Sequence, residues 1–383
     1  MRLAWIALFY AAYFAYIGLY SPFLGPYLKS IGYSFEVVTW ALTMHQITRI
    51  VGPFFWGWVA DVTGKTVLWL RVGVVAGLLF SILTYIQPSN FTVFMLGLVC
   101  LNLSISGLIP MADSFTLIRC GGKPSLYGRV RVFGSVGFIV SVFGFGLWAE
   151  YQNIQHYPFW VWLIWCVALV AVFKLKPLRG RKKLARYFVS KKFGLLLLFR
   201  HRNLCLFWAA SFLMIFAHGV YYAFFSIYLQ EYGYSTSILG SFWAFGVFSE
   251  IIFFIVQGKV YQRLSHQAWL QWSFFMCVIR FSLIALFPQL FWVVLLSQAL
   301  HCITFAAHHT ASVSWLRAQI PKSHHVRGQA MYATLGYGLG GTSGALFGHF
   351  VWASLGQPFV FLMASVSGFI AFLIALNLKK VPK

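Results

Sequence analysis

Residues 26–34 read PYLKSIGYS and residues 227–235 read IYLQEYGYS. Tyr27, Leu28, Gly32, Tyr33 and Ser34 recur 201 positions later as Tyr228, Leu229, Gly233, Tyr234 and Ser235. In a chain of 383 residues, a match just past the midpoint is the mark of an internal repeat. Both copies also stand where a long apolar stretch ends and another begins. The repeat therefore joins equivalent pairs of segments, and what those segments are follows from composition.

Hydrophobic residues make up 60% of the chain and charged residues only 9%, and the mean hydropathy is +0.78. A soluble domain carries roughly 25% charged residues, so a water-facing surface cannot be built from this sequence. Val161–Phe173 and Phe361–Leu376 are almost wholly apolar, without the polar stripe of a soluble amphipathic helix. A helix crosses the hydrocarbon core with about 20 such residues. The composition predicts an all-α membrane protein. The net charge of +23 does not point to nucleic acid, because the positive residues sit between the apolar runs, the pattern that sets membrane topology. Cys100, Cys120, Cys166, Cys205, Cys277 and Cys302 lie along or beside the spans without C-x-x-C spacing. They read as small buried hydrophobes, so no disulfide framework and no metal site is expected. MRLAWIALFYAAYFAYIGLY at the start is too long and too aromatic for a signal peptide, has no small-residue cleavage site, and reads as the first span.

Turn residues and charges cut the chain into twelve spans, near 3–24, 37–58, 67–86, 91–113, 130–150, 157–174, 204–228, 236–257, 268–287, 291–314, 328–352 and 357–377. The connections Gln87–Asn90, Glu150–Tyr157, Phe287–Leu290 and Gly356–Pro358 carry almost no positive charge. The alternate connections hold Lys65 and Arg71, then Arg119, Lys123 and Arg129, then Lys259 and Arg263, then Arg317, Lys322 and Arg327. Lys/Arg excess marks the cytoplasmic side, which predicts both termini in the cytoplasm and a multi-pass protein of the inner membrane. The expected organisation is a six-helix bundle over 1–174, a basic cytoplasmic linker over 175–203 lying against anionic headgroups, and a second six-helix bundle over 204–383. Two parallel six-span repeats, with a site at their interface, are how one large class of transporters is built. The expected partners are a small-molecule substrate, protons and the lipid bilayer, with the chain acting as a monomer.

After span two stands GWVADVTGK, with Gly57, Asp61, Gly64 and Lys65. This resembles the signature of the major facilitator superfamily, roughly G-x-x-A-D-x-x-G-[KR] in the same loop. Glycines allow close helix approach and a sharp turn. Asp61 is expected at the N-terminus of the next helix, or paired with a basic group, holding a cytoplasmic gate. The loop after span eight, GKVYQR at 258–263, keeps the glycine and basic residues but has Gln262 where the aspartate would fall. A closer resemblance covers nearly the whole chain. YGRVRVFGSVGF (127–138), AHGVYYAFFSIYLQEYGYS (217–235), FSEIIFF (248–254) and HCITFAAHH (301–309) look like the 3-phenylpropionate permease group of that superfamily. The resemblance implies the major facilitator fold and proton-coupled uptake of a small substrate such as 3-phenylpropionate. The group is also similar to proton-linked sugar and nucleoside symporters, lactose permease among them.

Only six acids are present, and Glu250 is the one set within an apolar span, in GVFSEIIFFIV. An ionisable group there costs at least ~2.5 kcal/mol and usually faces a cavity or a partner. Arg280 in span nine is the matching basic group, and span ten carries His301, His308 and His309. The sevenfold spacing of His301 and His308 puts them on one helix face. Lactose permease likewise uses a glutamate in span eight, an arginine in span nine and a histidine in span ten. It has a further glutamate in span ten, where this chain has none. The resemblance therefore implies proton coupling through Glu250, His309 and His301, with His308 and Asp113 as further candidates. Substrate contacts are expected from Arg49, Asn102, Tyr20, His218, Tyr222 and Arg280, since tyrosines with an arginine suit an aromatic carboxylate and suit a nucleoside or sugar nearly as well. Asn102, Ser106, Pro110 and Asp113 recur at helical spacing on one face of span four. Asp113 is expected to form a gate pair with Arg129 or Arg131. His218 and His301 would also suit a bis-histidine haem, but the transporter reading needs no cofactor. H-E-x-x-H, a nucleophile elbow and a metal-ligand cluster are all missing, so no enzyme is expected; an exporter of the same fold is the rival reading.

Overall fold

The computed structural model describes residues 2–121, 123–177, 201–320 and 325–379, so most of the expected basic linker lies outside the described residues. Twelve long helical runs account for nearly all of them. They are α1 (Arg2–Ser30), α2 (Phe35–Thr63), α3 (Thr66–Ile86), α4 (Phe91–Arg119), α5 (Pro124–Tyr151), α6 (Tyr157–Phe173), α7 (Arg202–Glu231), α8 (Thr236–Val260), α9 (His266–Leu286), α10 (Phe291–Gln319), α11 (325–355) and α12 (Gln357–Leu376). Ten are long and apolar enough to cross a membrane. The other two are α2, which carries His45, Gln46 and Arg49, and α11, which is rich in glycine.

The repeated Gly-Tyr-Ser is a helix stop followed by a helix start. Gly32 has φ 90° and Gly233 φ 82°, the left-handed region that glycine enters without steric penalty. Gly32 N–H donates to Lys29 O at 3.1 Å and Tyr33 N–H to Leu28 O at 3.1 Å. Gly233 and Tyr234 make the same two bonds to Gln230 O and Leu229 O, at 3.0 and 3.3 Å. This pairing satisfies carbonyls that the helix end leaves bare. The serine carbonyls then accept the first bonds of the next helices, from Val38 N–H to Ser34 O and from Leu239 N–H to Ser235 O. The first helix contains Pro22 and runs six residues past its expected end, through Pro26, before this stop.

The described residues fall into two compact units, α1–α6 with Ser235–Gly240, and α7 with the remainder of α8 and α9–α12. In lipid, helices associate by close packing and hydrogen bonds, so small residues mark the contacts. In the first unit α1 packs on α5, where a side chain at Gly137 would run into the backbone of Ala11 and one at Gly18 into Phe138 O. In the second unit α7 packs on α11 in the same manner, with Gly340 against Phe212 O, Gly344 against Phe216 O and Gly219 against Gly341 O. Ala11 and Phe212 are themselves 201 residues apart. The flanking contacts also correspond, α3 on α6 and α9 on α12.

Three long helices are interrupted. α4 breaks between Phe91–Ile105 and Leu108–Arg119, with Gly107 pressed against Trp56. α10 and α11 each contain a π-helical segment, Cys302–Ala307 and Ala333–Gly340, a geometry frequent beside functional sites. At the far end of the first unit, Arg71 donates to Val172 O, Phe173 O and Leu175 O, and Arg119 to Lys176 O and Pro177 O. These two arginines, read from sequence only as topology charges, bind carbonyls at and just beyond the end of α6.

The glycine contacts are testable. Gly137→Ala is expected to lower stability by about 1–3 kcal/mol, because two backbones must separate. Gly57→Ala, whose side chain would meet open space, is expected to stay within about 0.5 kcal/mol. Thermal unfolding of the two variants in detergent makes the comparison.

Candidate functional site

Buried polar groups in a membrane helix must find partners inside the protein, and in the second unit they converge on Arg280. This residue of α9 is fully buried. Its Nε donates to Ser297 O at 3.0 Å, and the two hydrogens of its Nη1 are shared among His301 Nδ1 at 2.8 Å, Thr304 Oγ1 at 3.2 Å and His218 Nε2 at 3.4 Å. The guanidinium lies 4.4 Å over the ring of Tyr221 and 5.2 Å over that of Phe281, a favourable use of the aromatic face. Its Nη2 has no hydrogen-bond partner among the described residues.

Glu250, on α8, meets His301 and not the arginine. His301 Nε2 lies 2.6 Å from Glu250 Oε1, and the carboxylate side chain is 14% exposed. Sequence reading makes Arg280 the basic group that matches Glu250, and the structure places the His301 imidazole between them. His218, on α7, spends its other nitrogen on Met214 O at 2.9 Å. With one ring nitrogen each turned to Arg280 and the others on Met214 and Glu250, neither His218 nor His301 has a nitrogen left for a haem iron.

Aromatic rings frame this charged line. Phe305 stacks on His301 at 5.3 Å, Tyr222 lies 6.2 Å from His218, and Tyr222 stacks with Trp243 at 6.1 Å. Tyr221 donates to Gln298 Oε1 at 2.7 Å, and Trp243 donates to Ser226 Oγ at 3.0 Å. His308 faces the same helix as His301 but one site lower, with Ser273 Oγ 3.1 Å from Nδ1 and Ser312 Oγ 3.3 Å from Nε2. His309 approaches Tyr337 of the α11 π segment at 3.4 Å and lies within electrostatic reach of Glu250. Tyr221, Gln298 and Thr304 complete the cluster. Tyr221 had a signal in the sequence, since it stands 201 residues after Tyr20.

The first unit holds a hydrogen-bonded counterpart. His45 of α2 lies 2.9 Å from Asn102 Oδ1, Asn102 donates to Tyr20 OH at 3.4 Å, and Tyr20 donates to Ala41 O at 2.9 Å. The Tyr20 and His45 rings are 4.9 Å apart. His45, absent from the sequence expectations, carries no spacing that separates it from a packed histidine. Arg49 lies in α2, but its side chain lies outside the described residues.

The candidate gate residues separate into groups. Asp113 accepts from Tyr10 OH at 2.6 Å and lies 3.6 Å from Arg131 Nε, with Arg131 stacked 4.2 Å over Phe14. Arg131 is thus the partner and Arg129 is not; Arg129 borders an apolar groove lined by Ala4, Ala7, Ala11 and Phe133. Because α4 breaks at Gly107, Asn102 and Asp113 do not share one continuous face; they serve different clusters. Gly64 has φ 65° and closes α2 through a bond from its N–H to Ala60 O. Asp61 is exposed in the last turn of α2, not at the N-terminus of α3, where Lys65 occupies the capping position. No ion pair to Asp61 occurs among the described residues. A side chain at Gly57 would meet open space, so no close approach accounts for it.

Among the described residues, twelve helical runs in two matching units, with buried charges, aromatic rings and broken helices beside them, have the architecture of a multi-pass membrane protein. The chain belongs to the MFS_1 like family, whose model matches residues 3–363. It is 28% identical to the probable 3-phenylpropionic acid transporter of Escherichia coli (strain K12), over 95% of this chain and 94% of that protein. It is 25% identical to the maltose permease of Geobacillus stearothermophilus, over 97% and 93%. The crystal structure of the nucleoside transporter NupG superposes with a TM-score of 0.82 at 14% identity, covering 99% of each chain, a likeness of fold.

Removing the Glu250 carboxylate leaves the His301 Nε2–H without its acceptor, whereas an amide keeps an oxygen there. Glu250→Ala is therefore expected to lower stability by about 1–3 kcal/mol and Glu250→Gln by clearly less. Unfolding midpoints of the two purified variants decide this.

Proposed function

We propose that this protein is a proton-coupled symporter for a small organic carboxylate, an aromatic acid such as 3-phenylpropionate, working by alternating access. One observation carries the reading: a fully buried arginine with an unpartnered Nη2, whose nearest carboxylate is reached only through a neutral imidazole. A buried charge without a compensating charge is expensive in a membrane. With Glu250 ionised, the second unit's interior carries one positive and one negative charge. If Glu250 takes up a proton, Arg280 needs another anion, and a substrate carboxylate supplies it with a geometry guanidinium favours. Both the empty deprotonated state and the loaded protonated state are then neutral, while the half-changed states are not. Proton and carboxylate travel together for that reason.

In this reading Glu250 carries the proton, with His309 within its field. Arg280 holds the carboxylate, and His218, Tyr222, Tyr20, Asn102 and Arg49 contribute to substrate binding. Gly57, Asp61, Gly64, Lys65, Asp113, Arg129 and Arg131 serve a cytoplasmic gate. The two bundles, 1–174 and 204–383, are joined by the linker 175–203. The protein works as a monomer in the inner membrane with both termini in the cytoplasm, an orientation supported by its Lys/Arg distribution. The similarity to a probable 3-phenylpropionic acid transporter supports the substrate class. A sugar or nucleoside symporter is the second reading, favoured by the maltose permease similarity; export by the same fold is the third.

Proteoliposomes holding a pH-sensitive dye test this. Addition of 3-phenylpropionate is expected to acidify the lumen, while maltose and nucleosides do nothing. Glu250→Gln is expected to lose uphill accumulation by about tenfold or more while retaining downhill exchange. Acidification by a neutral solute instead of any carboxylate would turn the reading to the second.

A further inference from the structure

His301 touches both charges of the second unit's interior, with Nε2 2.6 Å from Glu250 Oε1 and Nδ1 2.8 Å from Arg280 Nη1. A guanidinium has only donors and an ionised carboxylate only acceptors. Nδ1 must therefore be bare and Nε2 must carry the hydrogen. The two neighbours impose the same neutral tautomer from opposite ends. A second proton on the ring would set an N–H against the N–H of Arg280. His218 obeys the same logic, since its Nδ1 donates to Met214 O and its Nε2 accepts from Arg280 at 3.4 Å. The hydrogen bonds thus all run outward from the guanidinium, and one chain of them ends on Glu250. The His301 ring is fixed in this orientation by Phe305, stacked at 5.3 Å, and by the rings of His218 and Tyr221 at 5.6 and 5.9 Å.

We propose that His301 is a tautomer-locked bridge and not a proton carrier: it transmits the charge state of Glu250 to Arg280 while staying neutral itself. The inference rests on the reading of Glu250 as the proton-binding group. While Glu250 is ionised, the polarised bridge extends its negative charge to Nη1 and holds the guanidinium to α10. When Glu250 takes up the proton that pull is lost, Nη1 keeps only neutral acceptors, and the arginine turns its charge to the carboxylate arriving at Nη2. The ionisable groups around the bridge are Glu250 on α8, Arg280 and Cys277 on α9, His218, Tyr221 and Tyr222 on α7, and Cys302 and His309 on α10. His301 is in this sense a positioning residue.

Glutamine separates the two roles. Its amide offers one acceptor and one donor on a rigid group, as the locked imidazole does, but it cannot be protonated in water. In proteoliposomes His301→Ala is expected to lose carboxylate-driven proton uptake by about tenfold or more, and His301→Gln to recover it to within about threefold of the unsubstituted protein. His301→Gln falling as far as His301→Ala, in folded protein, overturns the bridge. The second readout does not depend on transport. In protein labelled with nitrogen-15 at histidine, the His301 signals are those missing from His301→Gln. They are expected to show one bare and one protonated ring nitrogen from about pH 5 to pH 8, where a free histidine would change charge. An imidazolium signature or the Nδ1–H tautomer in that range contradicts the proposal. Proteoliposomes that move no protons with any carboxylate would remove Glu250 as the carrier, while the nitrogen signals would still decide whether His301 is locked.

Discussion

The cost of an uncompensated charge in hydrocarbon is the constraint on which the second unit is organised. Arg280 is fully buried, so every group near it has to accept a hydrogen bond, present a π-face or carry negative charge. Ser297 O, Thr304, His218 and His301 do the first, Tyr221 and Phe281 the second. Glu250 does the third at one remove. That indirection matters chemically. A direct arginine–carboxylate pair would be bidentate and self-satisfied, leaving little reason for the arginine to accept another anion. An imidazole between them keeps the charges balanced and leaves Nη2 open.

The rest of the second unit supports this line at two scales. Close approach of α7 to α11 at Gly219, Gly340 and Gly344 fixes the helix that carries His218 and Tyr221. The π segment of α10 follows directly on His301 and contains Thr304 and Phe305, two of the groups that hold Arg280 and the imidazole. The first unit repeats the scaffold around a different set of polar groups. Its Ala11–Gly137 contact corresponds to that of Phe212 and Gly340, while Tyr20, Asn102 and His45 form a hydrogen-bonded network. The two halves thus share packing and, among the described residues, differ in the side chains at its centre.

The all-helical class, the twelve spans and the repeat were legible because each rests on local chemistry. Apolar length marks a span, and Gly-Tyr-Ser marks a stop and a start. The span edges were less legible, as in α1, which continues through two prolines because membrane helices tolerate them where neighbours satisfy the backbone. The pairing within the site was not legible. Spacing brings Glu250, Arg280 and His301 to neighbouring helices, but which two touch depends on side-chain reach and helix rotation. The break of α4 at Gly107 and the π segments depend on neighbours such as Trp56, so they leave no periodic signal. Asp61 illustrates the same limit, since the motif that contains it does not say where α2 ends.

In the proposed symport the interior stays neutral because a proton enters with each monovalent carboxylate. The measurement that tests it most directly is uptake of 3-phenylpropionate into proteoliposomes under a clamped membrane potential, with and without a pH gradient. Symport predicts accumulation above that in protein-free liposomes, following the pH gradient and indifferent to the imposed potential. Accumulation driven by the potential alone, or a net current during uptake, would contradict it.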